Sequence, residues 1–552
     1  MSGIVGTNFL GAHWRDVADR SAAVARARAA RDTLAHRGTD FAGDWYDDRL
    51  YLGHTEQAQL DSSVVGRLPL AAGDGSVTVT LDGHLVNAQE LRAELGKGNT
   101  FHGNGGSEVV LQAYLQWGLE GMLRRLRGSF ALAIYDRAEG RLVLARDALG
   151  TKPLYYLHDE ASGSLMFASE LKGIEALADS SLLKVDQTAL YDYLTYRYIP
   201  APKTLYTQVR KLAAGQCFSI DLTNSHSATQ CYWELPDVDA AAYTDQAEFL
   251  EHGKELLGQA IDNRTTGLTA IGAMCRRDTG FADWLSAQKP LVRPLTLAND
   301  VTAPTTTQEA MVSADNLREW FDEPFADVSF SRREDLLQQL VGAASCALTD
   351  IGAHVVFGNA ARYARAGRQG PGTVGWLKSK LGGTKADAST TVVDTFHDYT
   401  RLLGGLPSSA KQAQKTAWDI PADYNDYWYY QQYYRADLPR TLRFQRLDLQ
   451  TLVPEHQLMQ LDRQAQRHGI EARSPLLDQE LVSWLLCAPA EWRGPQLDLQ
   501  GALLGSESGQ PILARLKKSV KEVLPLGKRG ASDAAAGPVE LLEQRFPELT
   551  PS

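Results

Sequence analysis

The sequence predicts an α+β fold in two parts: a strand-rich N-terminal half flanked by helices, then a C-terminal half that is mostly helical in pattern. Two kinds of segment carry this reading. Val77-Thr-Val-Thr-Leu81 and Phe130-Ala-Leu-Ala-Ile-Tyr135 alternate at period two near Asp-Gly or Glu-Gly turns, as strands do. Between them, Gln89-Glu-Leu-Arg-Ala-Glu-Leu95 and Ser107-Glu-Val-Val-Leu-Gln-Ala-Tyr-Leu115 repeat at helical spacing. A chain of 552 residues exceeds one ordinary hydrophobic core, so at least two domains are expected, here 1–235 and 245–552. Residues 367–391, rich in Gly, Ser, Thr and Lys, read as a long loop or disordered insertion, and 531–537 as a flexible tail segment.

Composition narrows the partners. A charged fraction of 22% and a hydrophobic fraction of 44% are those of a globular chain. The net charge of −11, without any block of Lys and Arg, argues against nucleic acid. The first residues lack a cationic segment followed by an apolar stretch, and no apolar run reaches the roughly 18 residues that span a bilayer, so a cytoplasmic protein without a membrane partner is expected. Cys217, Cys231, Cys275, Cys346 and Cys487 are scattered and lack CxxC spacing, which argues against a disulfide framework and a zinc site.

Several words in fixed order carry a resemblance. They are Met1-Ser2-Gly3-Ile4-Val5-Gly6, His36-Arg37-Gly38-Thr39-Asp40, Leu144-Ala-Arg-Asp-Ala-Leu-Gly-Thr-Lys-Pro-Leu-Tyr-Tyr156 and Phe167-Ala-Ser-Glu-Leu-Lys172. Tyr198-Ile-Pro-Ala-Pro-Lys203, Phe321-Asp-Glu-Pro-Phe-Ala-Asp327 and His468-Gly-Ile-Glu-Ala-Arg-Ser-Pro-Leu-Leu-Asp478 follow. Together they resemble the glutamine-dependent asparagine synthetases. The resemblance implies an N-terminal Ntn-hydrolase-like β-sandwich flanked by helices, serving as a glutaminase domain. A largely helical α/β synthetase domain of the ATP-pyrophosphatase type would follow, and a homodimer is conceivable.

The positions that should handle glutamine depart from that family. Its nucleophile is a cysteine at position two, whereas this chain has Ser2. Serine with its own free amine as base can serve as a nucleophile, so Ser2 alone is not decisive. Glu56, in Leu52-Gly-His-Thr-Glu56, stands where an arginine would grip the glutamine carboxylate, and two carboxylates repel. In Leu81-Asp82-Gly83-His84, against the family's VNGE, Asp82 replaces the oxyanion-hole amide and His84 the amine-binding glutamate. An anion at an oxyanion site opposes the charge to be stabilised. Gly106 replaces the aspartate that should hold the substrate ammonium, so an inactive glutaminase domain is expected.

The ATP end shows a parallel loss. Over the pyrophosphate loop SGGLDS lie Arg276, Arg277, Asp278, Thr279, Gly280 and Phe281, and such bulky groups cannot form the close backbone nest that cradles an anion. Arg276 and Arg277 could attract an anion or be a solvated pair. In the second phosphate segment, His354 and Val355 stand in place of two acidic residues, removing hard oxygen ligands for magnesium. Neither ATP nor a metal is therefore expected as cofactor.

The acid–base end is kept. Glu471 matches the family glutamate beside the substrate, and Lys528, in Leu526-Gly-Lys-Arg-Gly530, the lysine that stabilises the transition state. Such a pair could work on a carbonyl or enol; alternatively Glu471 and Arg473 form a structural ion pair and Lys528 is exposed. Asp462, Arg463 and Asp478 agree with the family pattern, and Asp322, Glu323 and Asp327 read as structural. Tyr427, Tyr430 and Tyr434 share a face at helical spacing, as core packing or as a wall for a flat aromatic ligand, with Tyr434 near Glu471. Three readings follow: a repurposed homologue in a natural-product, for example antibiotic, biosynthetic pathway, doing ATP-independent cyclisation or dehydration in the C-terminal cleft on a small molecule such as a polyketide; a non-catalytic scaffold or regulator paired with an active paralogue; or a conventional amide-forming ligase.

Overall fold

The computed structural model describes residues 2–9, 20–57, 67–96, 101–103, 105–237, 243, 245–276, 280–289, 292–297, 320–327, 330–358, 362–363, 388–406, 408–489, 492 and 499–504. Two six-stranded sheets form the first half. One runs β10 (Val209–Lys211), β8 (Tyr155–Asp159), β9 (Ser164–Ala168), β1 (Ser2–Asn8), β3 (Leu50–Glu56), β2 (Phe41–Tyr46). The other runs β12 (Ser227–Cys231), β11 (Gln216–Asp221), β7 (Arg141–Arg146), β6 (Gly128–Asp136), β5 (Val77–Leu85), β4 (Leu70–Ala71).

The sequence pattern explains the layering. Phe130, Leu132 and Ile134 of β6 pack with the helices Ala88–Leu95 and Gly106–Leu123, while Ala131, Ala133 and Tyr135 pack with Ile4, Leu52 and Phe167 of the facing sheet. The alternation in β6 therefore separates a helix-facing side from a sheet-facing side, both dry. In β5 the same rule puts Val77, Val79 and Leu81 under the helices and leaves Thr78 and Thr80 buried between sheets, so threonine here is an interior residue. Helices Arg20–Asp32, Leu171–Leu177 and Gln187–Tyr196 cover the outer face of the first sheet.

The second half is built on a four-stranded parallel sheet, β14 (Arg293–Leu297), β13 (Ile271–Arg276), β15 (Cys346–Thr349), β16 (Glu471–Arg473). Helix Gln246–Thr265 starts at Asp245, whose carboxylate accepts from the N–H groups of Ala247 and Glu248. It packs on Gln479–Leu486 through Phe249 and Trp484, stacked 3.9 Å apart, and through Gly253, where a Cβ would lie 2.1 Å from the indole. A helical run then leads from Arg440–Gln450 through a π turn, Val453–Leu458, into Met459–Arg467. Pro454, which has no N–H to give, enters the π turn.

One expectation changes, and one pair of alternatives is decided. The loop expected over 367–391 ends inside a helix, Ala388–Leu402, whose first four residues, Ala-Ser-Thr-Thr, are polar or small and carry no apolar repeat to announce it; the rest of that loop, like 531–537, lies outside the described residues. The tyrosine stripe is core. Tyr427, Tyr430 and Tyr434 all pack on Phe396, at ring-centroid distances of 5.9, 5.9 and 4.9 Å. The five cysteines are free, and among the described residues no helix is long and apolar enough to cross a membrane.

Candidate functional site

Ser2 opens β1, buried, paired in register with Glu56 of β3. Its carbonyl oxygen accepts from Nε of Arg37, 2.9 Å away. Arg37 ends a 3-10 turn, Ala35–Arg37, and is completely buried. Its remaining nitrogens meet three carboxylates: Asp82 at 2.9 Å, Glu170 at 2.9 Å and Asp462 at 2.8 Å. Asp82 therefore has a structural reason: it faces Arg37. Next to it, Gly83 sits at φ +113, and a Cβ there would lie 2.0 Å from the carbonyl oxygen of Ser129, so the strand tolerates only glycine. Gly106 opens the helix Gly106–Leu123 against Leu85.

The web continues across both halves. Asp462 also binds Lys152 at 2.9 Å. Glu170 binds Arg463 and, at 3.2 Å, Lys172, which reaches Asp322 at 3.1 Å. Lys211 pairs with Glu323 and Arg146 with Glu455, 3.0 Å apart. Around Arg37 four carboxylates (Asp82, Glu170, Asp322, Asp462) thus face four cations (Arg37, Lys152, Lys172, Arg463). Burial disfavours charge on Arg37, yet Asp462, Asp82 and Glu170 outweigh it and hold the guanidinium well above its usual value. Burial alone would raise the Asp462 and Glu170 carboxyls, but Arg37 and Lys152 pull the first down, and Arg463 and Lys172 the second. Asp82 differs: burial pushes it up against the pull of Arg37, which it contacts, and of Lys152.

Glu471 begins β16 beside Cys346 of β15 and is buried. Arg473 donates from Nε to its Oε1 at 3.0 Å, so the ion pair allowed by the sequence is present. Nδ1 of His84 lies 2.7 Å from the same oxygen, but out of line for a hydrogen bond, and neither ring nitrogen of His84 has an aligned partner. Burial would raise the Glu471 carboxyl, but Arg473 and His84 bring it well below the usual range. Burial, helped by Arg473, pushes His84 down to about 4 against the opposing pull of Glu471. At neutral pH a carboxylate thus faces a neutral imidazole, and Glu471 is held as a base without a proton to give.

Tyr434 is not part of this group. It packs on Phe396 and Phe444 while its hydroxyl accepts from Arg443 at 3.1 Å, so the proximity to Glu471 suggested by the sequence is not made. Its backbone leaves the helix at Tyr434, which re-aims the ring into the aromatic core. Lys528, Arg277 and Asp278 lie outside the described residues.

At the other end of the sheet, Arg276 closes β13 with its side chain exposed, and its backbone N–H donates to Oδ2 of Asp350 at 2.7 Å. His354 is half-buried, and Val355, where a magnesium ligand would be needed, is packed in the core. ATP with magnesium does not fit these residues: a carboxylate already occupies the strand-end amide, and the acidic pair is missing. Among the described residues no group of His, Cys, Asp and Glu is arranged to hold a metal ion. Between the halves lies a cavity of about 20 Å³ lined by Ser129, Thr151, Lys152, Asp462, Gln466 and Ser474. It has room for a water and not for an organic substrate.

Sequence reasoning quoted Arg37, Lys152 and Glu170 inside its family words without assigning them roles, and it missed Asp350. The available signal was charge type: Arg, Lys and Glu in otherwise apolar words read as buried partners.

Comparison with known proteins agrees with this architecture. The glutamine amidotransferase domain family matches residues 1–233, and the asparagine synthase family residues 298–499. Asparagine synthetase [glutamine-hydrolyzing] 1 of Bacillus subtilis is 33% identical over 188 residues, 34% of this chain and 29% of that protein. Amidase chry2 of Gibberella zeae is 28% identical over 258 residues, 44% of this chain and 36% of that protein. The aligned region thus spans well under two thirds of these relatives' length. Among solved structures, the glutamine phosphoribosylpyrophosphate amidotransferase of B. subtilis, complexed with ADP and GMP, gives a TM-score of 0.31 at 14% identity, covering 63% of this chain and 80% of that one. That likeness is too loose to place any residue. With both family matches in this order, the chain belongs to the asparagine synthetase family, of the class-II glutamine amidotransferase type.

Proposed function

We propose that this protein neither hydrolyses glutamine nor uses ATP, and that it acts as a non-catalytic homologue whose inherited sites have become a charged joint between its two halves. The observation that carries this is Arg37, buried behind Ser2 and surrounded by Asp82, Glu170 and Asp462. Glutamine would have to bring its own charges into a web that already balances, beside Glu56 and Asp82, which repel its carboxylate and its oxyanion. The purified chain is expected to release no glutamate from glutamine and no pyrophosphate from Mg-ATP with added carboxylic acids. Glutamate release that disappears in Ser2→Ala would overturn the first half of the proposal; pyrophosphate release would overturn the second.

One observation favours a second reading, ATP-independent acid–base chemistry on a small molecule of a natural-product pathway. Burial keeps His84 neutral, with Nδ1 2.7 Å from the Glu471 carboxylate but not aligned to donate to it, and with Nε2 lacking an aligned partner among the described residues. Were the ring to turn so that Nδ1–H donates to the carboxylate, Nε2 would be a base oriented by it. Under this reading product formation in the parent pathway falls in His84→Ala and in Glu471→Gln; under the first reading both variants leave it unchanged.

A further inference from the structure

The carboxyl end of the parallel sheet holds a chain-borne anion. The spatial order β14, β13, β15, β16 runs second, first, third, fourth in the chain, so the connections leave β13 and β15 in opposite directions. In open parallel sheets, ligands gather outside the carboxyl ends of the strands at that switch point. Here Asp350 fills it. The residue follows Thr349, the last of β15, is buried, and accepts the backbone N–H of Arg276, the last residue of β13, at 2.7 Å.

The turn carrying Asp350 is fixed on both sides. The N–H of Ile351 donates to the Thr349 hydroxyl at 3.0 Å, and that of Ala353 to the Asp350 carbonyl at 3.0 Å. Gly352 stands at φ +86 with Leu477 beneath it, where a Cβ would lie 2.6 Å from a methyl group. A side chain so anchored has little freedom to swing away from the strand end. Strand-end amides attract phosphate because they offer N–H dipoles without a counter-charge. With a carboxylate on the amide, an incoming phosphate meets a like charge at contact distance.

We infer that Asp350 is an exclusion residue, a resident anion that keeps phosphorylated ligands, nucleoside triphosphates and pyrophosphate among them, out of the synthetase half. The inference rests on the reading that the chain does not use ATP, and it names the side chain responsible.

The test uses the full-length chain and inorganic pyrophosphate, with and without magnesium, in titration calorimetry. Asp350→Asn keeps the shape and an acceptor but removes the charge; Asp350→Gly removes the side chain. Asp327→Asn, which neutralises a second carboxylate that like Asp350 acts on Arg333 but does not hold the strand-end amide, is the control. The wild type is expected to give no saturation at about 1 mM, and at least one Asp350 variant to bind about tenfold tighter or better, the control matching the wild type. Circular dichroism establishes which variants fold, and Asp350→Asn, the near-isosteric change, keeps the question answerable if the glycine variant does not. Folded Asp350 variants that bind no better than wild type overturn the inference, as does equal gain in the control. Pyrophosphate release from Mg-ATP by the wild type overturns instead the functional reading on which it rests, so the two failures are distinguishable.

Discussion

Arg37 and Asp462 are separated by 425 positions in the chain and by 2.8 Å in the fold. Their contact joins the turn behind β1 to the helix Met459–Arg467, and three further carboxylates and three further cations assemble around it. Ion pairs this deep are poor sources of net stability, because desolvation consumes most of the Coulombic gain, but they are costly to break halfway. Arg37→Met is therefore expected to lower unfolding free energy by about 3–5 kcal/mol or more, since it strands up to three carboxylates in the interior. Urea unfolding followed by tryptophan fluorescence measures the change; a loss under about 1 kcal/mol would show that the web relaxes or hydrates without Arg37.

Buried histidines, His54, His84 and His456, set an acid limit. Burial holds His54 down to about 3 and His84 down to about 4, from 6.5 when unfolded. The folded chain therefore refuses protons that the unfolded chain accepts, so stability is complete above pH 6.5 and falls as pH drops toward 4. The His84 share of that fall is about 3 kcal/mol. Asp462, Glu170 and Glu471, held below the ordinary carboxylate range, add their loss as pH falls below about 5, when the unfolded carboxyls take up protons. Scanning calorimetry from pH 7 to pH 4.5 should show a falling melting temperature, with a shallower fall in His84→Gln. Parallel profiles in the two chains would place the acid sensitivity elsewhere.

Two glycines should respond in opposite directions. Gly83→Ala puts a Cβ 2.0 Å from a backbone carbonyl at φ +113, where nothing flexible can yield, and is expected to cost more than about 2 kcal/mol. Gly258, inside the helix Gln246–Thr265, has nothing within 4 Å of its missing Cβ and no positive φ, so Gly258→Ala is expected to stabilise by about 0.5–1 kcal/mol. Melting temperatures of the two variants check both signs; stabilisation by the first would mean that β5 can shift away from Ser129.

What the sequence made legible was local. Strands β5 and β6 and helices Ala88–Leu95 and Gly106–Leu123 follow from periodicity, because each buries a regular face. It did not reveal that Thr78 and Thr80 are interior residues, since a polar position reads as solvent-facing unless a second sheet is known to cover it. The same limit hid the site. Asp82 and His84 read as damage to a glutamine pocket and Glu471 as part of a different cleft, yet β5 presents Asp82 to Arg37 and His84 to Glu471, one residue apart on the same side of the strand. Contacts between residues hundreds of positions apart leave no periodic trace in one chain.

The three carboxylates around Arg37 should not be equivalent, and their ranking tests the electrostatic account. Asp462 contacts Arg37 and Lys152, and Glu170 contacts Arg37, Lys172 and Arg463, whereas Asp82 contacts Arg37, feels Lys152 only from farther off, and is pushed toward its protonated form by burial. Asp82→Asn, which restores the family residue, removes a charge that the interior already disfavours and keeps an acceptor for Arg37. Its cost is expected to be about 1 kcal/mol, against about 3–5 kcal/mol for Asp462→Asn, which leaves both Lys152 and Arg37 short of a partner. Denaturant midpoints at pH 7 order the two variants, and a larger loss in Asp82→Asn would reverse the assignment of charge within the web. Under the proposed reading, Ser2→Cys combined with Asp82→Asn should still release no glutamate, because Glu56 remains opposite residue 2 in the strand pair and Arg37 stays engaged by Glu170 and Asp462. Glutamate release by that double variant would show that the pocket is closed by those two substitutions alone.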